Sequence, residues 1–207
     1  MRKIIALLTL LALFSTGSGM AQSRTTVVKA NPLSLFIATI NVQGERALNE
    51  RFSGQLGLFL GQARINADEP GTDRITYASF GITPELRYHA TFARQDCPEG
   101  LYFAPYLRYR RIRQSYNGQV EDPDQLTQSA DIQFRRNSFG GGVLIGYEVI
   151  TEAGFVLDMF IGPQYSYTAS KATVTCADCN GNETFKQAGF DFTGIEIRTG
   201  LALGFAF

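Results

Sequence analysis

Glu85-Leu86-Arg87 and Glu196-Ile197-Arg198 each set a carboxylate and a guanidinium two residues apart inside an otherwise apolar run. A two-residue period puts both charges on one face of an extended strand, with the apolar residues opposite. Glu45, Glu148, Asp158, Arg108 and Arg110 fall on the polar face of their own segments. Five carboxylates then share an interior with four guanidiniums, a near balance. Charges enclosed together must pair, because leaving one unpaired costs about 3–5 kcal/mol. The favoured reading is a salt-bridge plug that fixes strand register. A narrow conducting path, gated by rearranging those pairs, is the alternative.

Other constellations hold fewer possibilities. His89 is the single histidine, and lipid-deacylating chemistry would need a serine beside it and a carboxylate to orient it. Ser79 shares its predicted face but lies ten residues away, more than about 30 Å along a strand. Spacing puts no other serine beside His89. It reads as an interfacial polar residue near a turn, and no enzymatic activity is expected. Cys176-Ala177-Asp178-Cys179 is a CxxC, with Cys97 apart from it. In an oxidising compartment a small loop disulfide, Cys176 to Cys179, is favoured over a redox pair or zinc, which wants about four ligands. The run from Asp178 to Glu183 offers oxygen atoms but lacks the glycine and distal glutamate of a calcium loop. It reads as a turn, so neither metal nor cofactor is expected. Arg108, Arg110, Arg111, Arg113, Arg135 and Arg136 crowd two segments. There they form a solvated rim, or meet phosphate groups through bidentate contacts.

Alternating segments must position these residues. At the C-terminus Ile195, Ile197, Leu201, Leu203, Phe205 and Phe207 alternate with Glu196, Arg198, Gly200, Ala202, Gly204 and Ala206. The large apolar face ends, with the chain, on an aromatic residue. A soluble lipocalin-like carrier would turn the apolar set inward, so lipid is the expected neighbour of this strand. The same period marks 41–48, 52–62, 75–89, 101–109, 138–150 and 155–167. Residues 27–36 contain Pro32 and read as a short strand turning near Ala38-Thr39, which brings the count to eight. Connections alternate between short ones (49–51, 95–100, 151–154) and long polar ones (66–74, 117–136, 170–189). The pattern predicts an all-β, up-and-down antiparallel transmembrane β-barrel of eight strands. Pro84, Pro105 and Pro163 each lack a donor that the ladder must do without.

The N-terminus carries Arg2-Lys3, an apolar run from Ile4 to Phe14, and small residues before Ala21. That order predicts a secretory signal peptide, 1–21, with the barrel spanning 22–207. The apolar run is shorter than the roughly 20 residues of a membrane-crossing helix. The chain has 19 Lys and Arg against 19 Asp and Glu; without Arg2 and Lys3 the formal charge is −2. No basic surface for nucleic acid is expected.

The chain resembles the small outer-membrane β-barrels of Gram-negative bacteria. More narrowly, Lys29-Ala30-Asn31-Pro32-Leu33 followed by Asn41-Val42-x-x-Glu45 is similar to one barrel family for which no catalytic residues are agreed. Leu203, Phe205 and Phe207 resemble the terminal signal read by the barrel-assembly machinery. The resemblance implies residence in the outer membrane, among lipid and lipopolysaccharide, with that machinery as a partner during biogenesis. It implies a structural or loop-mediated interaction role, with transport of a small ligand as the second function.

Overall fold

The computed structural model describes residues 25–65, 75–90, 98–121, 127–176 and 185–207. Eight strands carry the fold: β1 (Thr26–Ala30), β2 (Thr39–Ala47), β3 (Phe52–Ile65), β4 (Ile75–Ala90), β5 (Gly100–Glu121), β6 (Thr127–Ile150), β7 (Phe155–Cys176) and β8 (Phe185–Ala206). Each pairs antiparallel with the next, and β1 closes the ring on β8. Among the described residues no helix is long and apolar enough to cross a membrane. The expected leader, the turn at 178–183, Cys97 and the Cys176–Cys179 pair lie outside the residues or side chains described.

Register fixes the size of the ring. From Ala30 the pairs run through Val42, Leu58, Ile82, Tyr109, Phe139 and Tyr167 to Thr193. Ala30 pairs directly with Leu203, ten residues further along β8. Eight strands with a shear of ten tilt by about 40° and leave an interior that side chains can fill. Alternation settles what goes there. In β4 the buried residues are Ser79, Gly81, Thr83, Glu85, Arg87 and His89, with Phe80, Leu86 and Tyr88 exposed on the outer wall.

The wall is lopsided. β5 to β8 have 22–24 residues each, whereas β1 has five. The strand expected over 27–36 stops at Ala30. Pro32 has no N–H for a ladder but suits the first turn of a helix, and a 3-10 helix follows at Pro32–Ile37. Asn31 caps it by accepting from Leu33 N, and Ala38 ends it with a φ of 51°. At the other extreme, the loops expected over 117–136 and 170–189 are largely strand. The β5–β6 ladder continues to Glu121↔Thr127, and the β7–β8 ladder continues to Val174↔Phe185.

The three prolines interrupt the ladder on one side only. Pro84 pairs with Leu56 but has no partner in β5; Pro105 pairs with Val143 but has none in β4. Pro163 pairs with Ile197 but has none in β6. A missing donor thus costs the barrel one local gap rather than a strand.

Candidate functional site

Glu148 and Asp158 are direct cross-strand partners on β6 and β7, and both face inward. Like charges placed opposite each other repel, so a cation must reach them from across the barrel. Two do. Lys29 of β1 donates from Nζ to Glu148 Oε2 at 2.7 Å, to Asp158 Oδ2 at 2.9 Å and to Glu45 Oε2. Arg87 of β4 sends Nη1 to the same three oxygens, at 3.1 Å, 2.9 Å and 3.0 Å. Its Nη2 holds Glu85 at 3.1 Å, and the other oxygen of Glu85 accepts from Arg198 Nη2 at 2.7 Å. Lys29, Glu45, Glu85, Arg87, Glu148 and Asp158 have no exposed side-chain surface.

Neighbours lock the cluster. The Arg87 guanidinium lies 4.2 Å over the Tyr102 ring, and the Tyr102 hydroxyl donates to Asp158 Oδ1 at 2.7 Å. Gln55 Nε2 donates to Glu85 Oε2 at 3.0 Å. The Tyr102 ring occupies the space that a side chain at Gly146 would need. Below, Val27, Val156 and Ala206 form an apolar floor. An oxygen from each of Glu45, Glu148 and Asp158 lies within 4.8 Å of the others, a spacing that suits a metal ion. The Lys29 ammonium and Arg87 Nη1 already occupy that convergence, so the trio is a cage for the protein's own cations.

His89 is not interfacial. It is buried inside the barrel, with Nε2 2.9 Å from Ser53 Oγ and 3.6 Å from Glu45 Oε1. Pairing of β3 with β4 places Ser53 opposite Arg87, two residues from His89, a proximity that spacing along the chain does not reveal. The three side chains do not form a hydrolytic triad. Glu45 meets Ser53 Oγ and the same ring nitrogen as the serine, while Nδ1, which a triad carboxylate would orient, has no partner among the described residues.

Above the cluster Arg198 lies between two rings, 4.5 Å from Tyr106 and 4.8 Å from Phe160. Glu196 accepts from Gln164 at 3.2 Å. Arg108 and Arg110 are half-buried on the inner parity of β5. The arginine group of the sequence is therefore divided by the wall. Arg113 and Arg135 stand opposite each other on the outer parity, and Arg135 also faces Lys171. Leu203, Phe205 and Phe207 are exposed on the outer wall, with Phe205 edge-on to Phe155 at 5.8 Å.

Lys29, Ser53, Gln55 and Tyr102 belong to the site without having been singled out by spacing. Lys29 left a trace: five carboxylates against four guanidiniums lack one cation, and Lys29 supplies it.

These features define a closed eight-stranded up-and-down barrel with a buried ion-pair cluster in its interior. The chain belongs to the family described as protein of unknown function (DUF3575), whose model matches residues 5–204. Comparison with curated proteins gives no match. Among solved structures, the chain is similar to CarO of Acinetobacter baumannii. The identity is 8%, the TM-score is 0.41, and the match covers 92% of this chain and 100% of that one.

Proposed function

We propose that the protein is an integral outer-membrane barrel with a structural or interaction role, its lumen closed by the Lys29–Arg87 cluster. The observation that carries this reading is the inversion of the two faces. Every strand from β2 to β8 exposes large apolar residues outward, while Lys29, Glu45, Glu85, Arg87, Glu148 and Asp158 are buried inside. Along β6 the outward residues from Phe139 to Tyr147 are separated by eight positions. At a rise of about 2.5 Å per residue along the axis, they cover about 20 Å of an apolar band about 25 Å tall. The leader at 1–21 would deliver the chain for export, and Leu203, Phe205 and Phe207 would present the assembly signal.

Lipopolysaccharide fits as the lipid partner. Tyr109, Phe139 and Tyr167 form one cross-strand row, and four residues further up lies the row Arg113, Arg135, Lys171. Three cations side by side repel unless an anion bridges them. Lipid phosphates stand at that height above an aromatic girdle, and arginine suits them. In the test, the heat-modifiable protein is recovered from outer-membrane fractions. Its bound lipopolysaccharide is compared with that of an Arg113→Gln, Arg135→Gln, Lys171→Gln variant. Full membrane recovery with reduced lipopolysaccharide is expected. Recovery of the protein in the soluble fraction would overturn the membrane reading, and equal lipopolysaccharide would overturn the phosphate row.

A further inference from the structure

The wall between β8 and β2 is only half built from strands. β1 pairs with β8 from Val27↔Ala206 to Ala30↔Leu203 and stops. Above that point the 3-10 helix stands in the gap. Its hydrogen bonds stay within itself and its flanks or go to β2: Asn31 N to Asn41 O, Ala38 N to Leu35 O, and Thr39 Oγ1 to Ser34 O. Among the described residues, none joins the helix to β8. Ile195 and Ile197, on β8 above the end of β1, are 77% and 75% exposed, against 49% for Leu203 lower on the same strand. The seam is packed but not zipped.

A cavity of about 750 Å³ adjoins this seam and takes in both the lumen and the outer wall, where Leu101, Tyr147, Met159 and Leu201 form one cross-strand row. Gln43, Thr83, Arg108 and Arg198 line its polar side, and Leu33 and Leu201 line its apolar side. Arg198 spends Nη2 on Glu85, while its buried Nη1, against the Tyr106 and Phe160 rings, has no hydrogen-bond partner among the described residues; Arg110, outside the cavity lining, has a buried Nε in the same state. The like charges acting on Arg108 are Arg198 and Arg110, opposed by Glu196. An aligned, partly unsatisfied arginine group next to an apolar slot is complementary to an anion that bears one hydrocarbon chain.

We propose that the upper lumen binds a single-chain amphiphile with a carboxylate or phosphate head. The head sits on Arg108 and Arg198, and the chain leaves through the seam between the 3-10 helix and β8, past Leu33 and Leu201. Exit of the chain into lipid rests on the membrane reading above; the head site does not. The ion-pair plug beneath blocks onward passage, so the site exchanges its ligand with the bilayer rather than across it.

The test is calorimetric titration of the full-length protein in phosphatidylcholine nanodiscs, with empty discs as the blank. The probes are dodecyl phosphate, laurate, dodecyl maltoside and inorganic phosphate. Both chain-bearing anions should bind one to one, and the neutral maltoside and the chainless phosphate at least ten-fold more weakly. Arg108→Gln should weaken the anions at least ten-fold, and Arg46→Gln, on the outer wall, should change nothing. Inorganic phosphate matching dodecyl phosphate overturns the chain site. Maltoside matching laurate, or unchanged affinity in Arg108→Gln, overturns the head site. If Arg108→Gln gives no heat-modifiable barrel, the ranking of the four probes on the unmodified protein decides alone. Protein that enters no disc fails the membrane reading, and titration in buffer then judges the head site separately.

Discussion

Lys29 and Arg87 are the two cations on which the buried carboxylates converge. Lys29 contacts Glu45, Glu148 and Asp158 from β1, and its removal leaves Arg87 to balance the charge of all three, with Ser53 and Tyr102 still donating to Glu45 and Asp158. Lys29→Met should cost about 3–5 kcal/mol, the range for breaking a buried pair from one side. Urea unfolding in lipid vesicles, followed by tyrosine fluorescence because the chain has no tryptophan, measures it. Adding Glu148→Gln should return part of the loss, since it removes one of the stranded charges and Glu148 Oε1 has no partner to lose. A Lys29→Met barrel as stable as its parent would refute the cluster as the source of that stability. Glu45, Glu85, Arg87, Glu148, Asp158 and Arg198 were readable as an inward set from spacing, whereas Lys29 was not. Their partners were not, because a pair across the lumen depends on shear and not on distance along the chain.

Among the elements, outward strand faces are graded by depth. Ile161 lies midway between Phe155 and Tyr167 on β7, whereas Leu203 is four residues from the end of the chain. Ile161→Arg should therefore cost about 2–4 kcal/mol, and Leu203→Arg less, because an arginine near an interface reaches polar headgroups. Equilibrium unfolding of both variants in one bilayer gives the comparison, and equal costs would contradict the depth assignment. The last strand carries a separate expectation. Deleting Phe207, or making Phe207→Lys, should lower the amount of heat-modifiable barrel in membrane fractions, because the terminal aromatic ends the proposed assembly signal. Normal levels in both variants would remove Phe207 from that role.

For the whole molecule the question is passage. A shear of ten on eight strands leaves an interior the width of its side chains. Here it holds a fully buried ion cluster above an apolar floor. Purified protein in planar bilayers should show no large, steady conductance. Arg198→Ala should release Glu85 Oε1, giving lower stability or small flickering currents. A wide and stable conductance in the unmodified protein would defeat the plug and favour the transport reading.

From β2 to β8, inward and outward parity is legible without coordinates, because a large apolar set on one face and a polar, charge-bearing set on the other follow a two-residue period. Where that contrast fades, legibility ends. The upper parts of β5 to β8 are polar, stand beyond the apolar band, and read as loops although they pair for many residues more. Pro32-Leu33-Ser34-Leu35-Phe36-Ile37 has a mixed pattern and reads as part of a short strand, yet proline and the Asn31 cap make it a helix. Residue order thus determined the fold class and which side chains turn inward. Only closure of the ring decided that Lys29 meets Glu148 and Asp158, that Ser53 meets His89, and that a seam remains beside β8, since each depends on strands far apart in the chain being brought together by tilt and shear.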